Sequence, residues 1–264
     1  MKPVLILQHQ TPERAAYLKT WLDQHNIPYE TRNANAGEEF PSSIEPYAAL
    51  AVMGGGMSAN DPLLSNRQAE ILILQAIVRD IPVIGHCLGG QLMSRALGAK
   101  ISVAAIPEIG WQPIEYADHE LAQAWFGSNP TDTVIHWHYD TFAVPLGATL
   151  LASSPNCANQ AWGIGKHLAM QFHIEINETK IDTWVAEDDA KWAEARSLFE
   201  SAQSRQTILD RTAQHISAHN RTADHTVLRF SHDPPACFID SSRNSSQSFL
   251  LSSSAEYSAS CASA

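Results

Sequence analysis

The sequence predicts a doubly wound α/β fold, in which a mostly parallel sheet is flanked by helices. In the first hundred residues, short apolar runs alternate with amphipathic helical segments, and this β-α-β-α order is typical of a parallel sheet. The middle third contains short β-like runs separated by turn residues, which predicts a small antiparallel section. A chain of 264 residues is long enough for one large domain of this class.

The first half of the chain supplies the predicted parallel strands and their connecting helices. Apolar runs rich in β-formers predict strands at residues 4–7, 29–32, 47–53 and 82–85. Apolar residues at helical spacing predict three helices, which begin at Pro12, near Arg67 and at Leu92. The third of these helices is predicted to stop at Gly98, since glycine commonly ends a helix.

The second half completes the sheet and then becomes helical. Short β-like runs occur at residues 101–103, 110–116, 133–137, 149–153, 160–165 and 168–172. Residues 177–230 predict two or three amphipathic helices, in which the spaced Trp184 and Trp192 are interpreted as packing residues. The predicted domain therefore covers residues 1–230. Residues 231–264 are dominated by Ser and Ala, which predicts a disordered low-complexity tail.

Composition excludes several classes of function. Acidic residues outnumber basic ones by 28 to 17, and a net charge of −11 repels nucleic acid. No apolar run approaches the roughly 20 residues of a membrane span, and the N-terminal run is too short for a signal peptide. The four cysteines have neither metal-site nor disulfide-framework spacing, which predicts a cytoplasmic protein with reduced thiols. We see no metal-ligand cluster in the sequence and expect no cofactor.

One motif lies where the fourth predicted strand becomes a helix. It reads Gly85-His86-Cys87-Leu88-Gly89-Gly90-Gln91. A nucleophile at such a sharp turn adopts a strained backbone, which small flanking residues permit. The helix N-terminus favours the thiolate, and its backbone N–H groups can hold an oxyanion. The motif predicts a nucleophilic Cys87, although a buried structural cysteine in a glycine-rich turn also fits it.

A histidine and a carboxylate follow the last predicted strand. In the run Gln171-Phe172-His173-Ile174-Glu175, the side chains of His173 and Glu175 share a face if the segment is extended. A carboxylate beside a histidine fixes its tautomer and stabilises the imidazolium, as a catalytic triad requires. A structural histidine at a strand end is the alternative interpretation.

Two further segments supply candidate binding groups. Residues 54–58 form a glycine-rich turn after the third predicted strand, which can present N–H groups to an oxyanion. The turn lacks the spacing of a phosphate-binding loop, and a plain tight turn explains it equally well. The stretch 138–140 offers a histidine and an acid for a polar substrate, or a surface turn.

These motifs, in this order, resemble the class I glutamine amidotransferase family. The family pattern is a G-x-C-x-G-x-Q elbow followed by a His-x-Glu pair. The matching residues are Gly85, Cys87, Gly89, Gln91, His173 and Glu175. The resemblance extends from about residue 4 to residue 175, and it is greatest to stand-alone, GMP synthase-like members.

The resemblance implies a flavodoxin-like sheet and hydrolysis of the glutamine amide to glutamate and ammonia. A γ-glutamyl thioester would form on Cys87, with His173 as the base and Glu175 orienting it. The oxyanion would be held by Gly55 or Gly56 and the amide of Leu88. Near the substrate the resemblance places Gln91, His138, Tyr139 and Asp140. Such thioester chemistry needs no metal. The ammonia would pass to a synthetase or acceptor subunit, or to solvent.

The chain departs from the family pattern at two positions. Ile174 replaces the usual proline between the histidine and the glutamate, and Gly56 replaces the proline of the Gly-Gly-Pro turn. Proline restrains φ but is not a reacting group, so we expect the triad to be retained. The extra glycine raises the backbone freedom of the turn.

Three alternatives remain open from the sequence. A γ-glutamyl peptide hydrolase would use the same triad on another substrate. A cysteine α/β-hydrolase of the dienelactone hydrolase type would use Asp140 as the acid, since its acid precedes its histidine. A regulatory domain that retains the fold without activity is the third, and the chemically intact triad argues against it.

Overall fold

The computed structural model describes residues 1–11, 15–187 and 189–231. Its strands are β1 (Val4–Gln8), β2 (Tyr29–Asn33), β3 (Ala49–Val52), β4 (Val83–His86), β5 (Ile101–Pro113), β6 (Glu115–Tyr116), β7 (Thr133–Phe142), β8 (Thr149–Ser153), β9 (Ala161–Ile164) and β10 (His167–Met170). Its α-helices are α1 (Ala16–Gln24), α2 (Leu64–Val78), α3 (Leu88–Ala96), α4 (Glu120–Phe126), α5 (Glu178–Ala186), α6 (Ala190–Leu198) and α7 (Arg205–Ser231).

The main sheet has the predicted mostly parallel architecture. Its strand order is β2-β1-β3-β4-β10-β9-β8-β6, and the first five strands in that order are parallel. The remaining three strands pair antiparallel, and β5 and β7 form a separate antiparallel pair. The prediction of a parallel sheet with a small antiparallel section is confirmed.

Both faces of the main sheet are covered, which explains why its parallel strands are continuously apolar. Alternate side chains of β1 point to opposite faces, so Ile6 packs with α1 and α7 whereas Leu5 packs with α2 and α3. A third cluster lies between the β5–β7 pair and α5–α7, and it contains Trp111, Trp184 and Trp192. The tryptophans of α5 and α6 therefore pack as the sequence indicates.

Two helices differ from the sequence prediction. Helix α3 begins at Leu88, immediately after the turn, although its glycine-rich start favours a loop by propensity. These glycines are required by packing, since a side chain on Gly90 would lie 2.6 Å from the Met170 carbonyl. Helix α4 was not predicted; His119 caps it by accepting a hydrogen bond from the Ala122 amide.

Two sequence predictions fall outside the described residues. They are the opening of the first helix at Pro12 and the predicted tail at residues 231–264, of which only Ser231, the last residue of α7, is described. The domain limit at residue 230 stays a prediction. Within the described part of the chain, no helix combines the length and apolarity that a bilayer crossing requires.

Replacing Gly89 by alanine is expected to destabilise the protein. The added methyl group would overlap the Val52 backbone carbonyl, and a clash with backbone costs about 1–3 kcal/mol or more. In an uncrowded helix the same change stabilises the protein by about 0.5–1 kcal/mol. A decrease in the free energy of unfolding would therefore indicate that α3 is crowded at Gly89. Urea unfolding measures the effect. Gly98→Ala is the control, because no atom lies within 4 Å of its added methyl group and only its φ of +82° is strained. Unchanged stability in Gly89→Ala would contradict the close approach of α3 to β3.

Candidate active site

Cys87 occupies a strained turn between β4 and α3. Its φ of 50° and ψ of −109° are unusual for a residue other than glycine. A side chain on Gly85 would lie 2.7 Å from the backbone of Gly89, so the turn closes only because residue 85 is a glycine. The Cys87 amide donates to the Met170 carbonyl at 2.8 Å, which fixes the turn to β10. The predicted elbow is therefore present, and Cys87 stands at the start of a helix.

His173 and Glu175 follow β10, the parallel neighbour of β4. Because parallel strands end at the same sheet edge, this segment comes to lie beside the Cys87 turn. The Nδ1 atom of His173 lies 2.8 Å from Oε1 of Glu175, and both side chains are buried. Strand β10 ends at Met170, so the two residues lie in an irregular segment beyond the predicted extended strand. The His173 amide donates to the Ile135 carbonyl at 3.0 Å and anchors that segment to β7.

The buried pair is strongly coupled in its protonation. Burial alone would lower the pKa of His173, but the Glu175 carboxylate and the neighbouring Cys87 raise that pKa to about 10. Burial likewise opposes the charge of Glu175, but the adjacent His86 and His173 lower its pKa to about 2. Glu175 is therefore ionised at neutral pH and stabilises an imidazolium. Since Nδ1 faces Glu175, Nε2 is the ring atom that remains for the thiol.

Asp140 has a different partner. Its Oδ2 atom accepts a hydrogen bond from the Ser58 hydroxyl at 2.7 Å. Glu175, rather than Asp140, pairs with His173. This geometry favours the Cys-His-Glu arrangement over the α/β-hydrolase alternative.

A cavity of about 360 Å³ opens above Cys87. Of the residues predicted from the sequence, it is lined by Gly55, Gly56, Cys87, Gln91, His138, Tyr139, Asp140 and His173. Leu88 is buried beneath the glycine turn, where its side chain faces Gly55. The cavity has the size of a small-molecule site.

The two glycines of the predicted oxyanion turn are not equivalent. The Gly56 amide donates to the Gln10 side chain at 2.8 Å, so this N–H group is already bonded. A side chain on Gly55 would lie 2.6 Å from the Met57 sulfur and 2.9 Å from Leu88. A side chain on Gly54 would lie 3.1 Å from the His173 ring. The turn thus packs tightly against both the elbow and the histidine.

Comparison with known proteins identifies the family. The family model "Glutamine amidotransferase class-I" matches residues 21–191, which is more than half of the chain. The chain belongs to the class-I glutamine amidotransferase family.

Individual relatives agree with this family membership. The glutamine amidotransferase-like protein YfeJ of Salmonella typhimurium is 32% identical over 198 residues, covering 71% of this chain and 82% of YfeJ. The crystal structure of a glutamine amidotransferase from Methylobacillus flagellatus has a TM-score of 0.83 at 33% identity, covering 87% of this chain and 94% of that one. A glutamine-hydrolysing GMP synthase of Caldicellulosiruptor saccharolyticus is 27% identical, covering 66% of this chain; the match spans about a third (31%) of the synthase.

Several residues of this glutamine amidotransferase site were missed by sequence analysis. The cavity is also lined by Gln10, Trp137, Trp184, Glu187, Asp189 and Lys191, in addition to Met57 and Ser58 of the glycine-rich turn that the sequence indicated. Trp184 meets the His173 ring edge-on at a centroid distance of 4.7 Å, so it packs against the site as well as in the core. Lys191 lies 3.8 Å from the centroid of the Tyr139 ring. Helical spacing indicated only that the tryptophan is buried, because spacing does not report which neighbour it meets.

Three buried side chains near the cavity form a further cluster. Glu108, His136 and His138 each offer an atom of a metal-ligating type, and these atoms lie within 4.8 Å of one another. The Glu108 carboxylate accepts hydrogen bonds from Ser154 at 2.8 Å and Gln160 at 2.5 Å. It also lies 3.2 Å from Nε2 of His138 within the β5–β7 pair. The bonds from Ser154 and Gln160, which lie between β8 and β9, tie that pair to the main sheet. The sequence showed no such cluster, because it forms only across the register of two strands.

Proposed function

We propose that this protein hydrolyses the side-chain amide of L-glutamine to glutamate and ammonia through a γ-glutamyl thioester on Cys87. The observation that carries the proposal is the strained Cys87 turn beside a buried His173 that pairs with Glu175 at 2.8 Å. Nucleophile, base and orienting carboxylate are the three groups that thioester catalysis requires. Membership in the class-I glutamine amidotransferase family supports the same chemistry.

In the proposed mechanism, the proton of the Cys87 thiol rests on Nε2 of His173, because Glu175 raises the pKa of His173 to about 10 and favours the imidazolium. The thiolate then attacks the γ-carbonyl carbon and forms a tetrahedral oxyanion. The imidazolium of His173 gives its proton to the leaving nitrogen, so ammonia departs and the thioester remains. A water molecule, deprotonated by His173, attacks the thioester carbonyl and releases glutamate. Throughout, Glu175 accepts the hydrogen bond from Nδ1 of His173 and so keeps Nε2 directed toward Cys87 for proton transfer.

We assign the oxyanion site to the amides of Gly55 and Leu88. The Leu88 amide belongs to the first turn of α3, whose N–H groups and dipole favour negative charge. The Gly56 amide is already bonded to Gln10, which makes Gly55 the better candidate of the two glycines. Polar groups for the glutamine backbone are supplied by Gln91, Tyr139 and Asp140, with His138 behind them.

Replacing Gly55 by alanine is expected to lower kcat about 10- to 100-fold, because one oxyanion donor is displaced. The added methyl group must push the glycine turn away from Leu88. Gly56→Ala is the matched control, and its loss should be smaller because its methyl group meets only the end of the Gln10 side chain. Steady-state hydrolysis of glutamine measures both. A larger loss in Gly56→Ala would reverse the assignment.

The acceptor of ammonia is part of the proposal. The GMP synthase relative is glutamine-hydrolysing by name and is about three times longer than the matched region. We therefore propose that a separate synthetase or acceptor subunit receives the ammonia, with release to solvent as the alternative. The cytoplasmic location expected from the composition also remains a prediction.

The deciding experiment measures ammonia and glutamate released from L-glutamine, with a γ-glutamyl dipeptide assayed in parallel. Glutamine turnover supports the amidotransferase half-reaction. Turnover of the dipeptide alone would instead identify a γ-glutamyl peptide hydrolase that uses the same triad. If neither substrate reacts, labelling by a glutamine-analogue diazoketone distinguishes the two remaining cases. Label on Cys87 indicates an enzyme that requires its partner, and no label indicates the non-catalytic alternative.

A further inference from the structure

Glu175 lies between two imidazole rings. Its Oε1 atom faces Nδ1 of His173 at 2.8 Å, and its Oε2 atom faces Nε2 of His86 at 3.6 Å. The His86 side chain is only 1% exposed and that of Glu175 only 4%. The proposed mechanism uses the first contact and gives the second no role.

The Oε2 atom of Glu175 and the Nε2 atom of His86 have no hydrogen-bond partner among residues 1–11, 15–187 and 189–231. Buried polar atoms left unpaired are costly, so such a pair facing each other calls for an explanation. A separation of 3.6 Å exceeds the length of a hydrogen bond, but a shift of the imidazole ring by a few tenths of an ångström would bring the two atoms within hydrogen-bond distance. Catalytic hydrogen bonds are often long in the free enzyme and shorten when substrate binds.

The position of His86 follows from the fold. It is the last residue of β4 and directly precedes Cys87, so its backbone is held by the same turn. In the β4–β10 register it lies opposite Met170, just before the segment that carries His173 and Glu175. The elbow motif leaves the residue at this position free, and the sequence analysis gave it no role.

The charge states of the surrounding groups suit donation from His86. Burial lowers the pKa of His86 to about 4, so the ring is neutral at pH 7 and carries one N–H group. His219 of α7 also faces the pair, and burial lowers its pKa to about 4 as well. At pH 7 the Glu175 carboxylate is therefore surrounded by a neutral His86, a neutral His219 and a protonated His173. A hydrogen bond from a neutral N–H group stabilises the ionised form of Glu175, and it adds no second positive charge that would weaken the ion pair with His173.

We infer that His86 is a positioning residue: its Nε2–H group holds Oε2 of Glu175, so that Oε1 stays directed at His173. The inference rests on the proposed function, because it assigns His86 to the same triad. Loss of this donor lets the carboxylate rotate and weakens its hold on the His173 tautomer. The effect on Cys87 is transmitted only through Glu175.

A double-mutant cycle tests this inference. His86→Leu removes the donor at similar volume, and Glu175→Gln removes the carboxylate charge. The readout is the alkylation rate of Cys87 by iodoacetamide at pH 7, followed on the Cys87 peptide by mass spectrometry. His86→Leu should slow alkylation about 10- to 100-fold, the size expected for losing a hydrogen bond to a charged group. In the Glu175→Gln background the same change should have less than about a twofold effect, since the two residues act as one unit.

Equal losses in both backgrounds would overturn the inference, since they would indicate a general packing role. A folded His86→Leu protein within about twofold of wild type would also overturn it. If His86→Leu does not fold, two variants that replace His86 by an amide side chain, His86→Gln and the shorter His86→Asn, provide the comparison of alkylation rates. His86→Gln can reach Glu175 and should retain a rate within about threefold of wild type, whereas His86→Asn is too short and should lose about tenfold. Equal rates for Gln and Asn contradict the inference.

The alkylation readout needs no substrate. If wild type neither hydrolyses glutamine nor is labelled on Cys87 by the diazoketone, but the coupling between His86 and Glu175 is present, the proposed function fails and the positioning role is supported. If wild type hydrolyses glutamine and the coupling is absent, the positioning role fails alone.

Discussion

Replacing Cys87 by alanine is expected to abolish glutamine hydrolysis, with a loss of at least about 10⁴-fold in kcat. The thiolate forms the covalent intermediate, and no neighbouring group in the described cavity can replace it as a nucleophile at this turn. The measurement is ammonia release from L-glutamine under saturating substrate. Because alanine is smaller than cysteine, the fold and the affinity for glutamine should be retained.

Cys157 provides the matched control. It is also buried, but burial raises its pKa and its sulfur lies 3.3 Å from the Thr141 hydroxyl, outside the cavity. Cys157→Ala should therefore retain activity within a few-fold of wild type. Comparable losses in both variants would mean that cysteine removal acts through stability, and the nucleophile assignment would not stand.

Replacing Glu175 by glutamine is expected to lower kcat about 10³- to 10⁴-fold, because the carboxylate no longer fixes the His173 tautomer or stabilises the imidazolium. Asp140→Asn is the comparison, since Asp140 bonds to Ser58 and lines the cavity. That variant should mainly raise KM. A greater loss of kcat in Asp140→Asn than in Glu175→Gln would restore the α/β-hydrolase alternative.

The Glu175→Gln variant should also change the pH dependence in a defined direction. The pKa of His173 is raised from 6.5 to about 10, despite burial, chiefly by Glu175. Its stabilising contribution is therefore complete below about pH 6.5 and is lost as the pH rises towards 10. The pKa of Glu175 is lowered from 4.5 to about 2, so its own contribution is lost as the pH falls through that range.

Without the carboxylate, the pKa of His173 should fall. The alkaline limb of kcat/KM should then move to lower pH, and the decline in stability between about pH 6.5 and 10 should disappear. Urea unfolding across this range, with wild type in parallel, measures the second effect. An unchanged alkaline limb would show that Glu175 does not control the charge of His173.

The main features of the fold could be predicted from the sequence because they depend on local patterns. Apolar runs and helical spacing located the strands and the long helices, and the glycines around Cys87 indicated a sharp strand-to-helix turn. Local propensity failed at the start of α3, where close approach of the Met170 carbonyl requires Gly90 within a helix. It also failed at α4, a helix of seven residues whose stability depends on packing.

The sequence by itself determined the parallel sheet, the elbow at Cys87 and the candidate pair of His173 and Glu175, since all three follow from residues close together in the chain. Only the tertiary structure decided which groups meet around them. The alignment of β4 with β10 brings His86 to Glu175, and the β5–β7 register brings Glu108 to His138. These contacts join distant residues, and strand register depends on the packing of the whole sheet rather than on any local pattern.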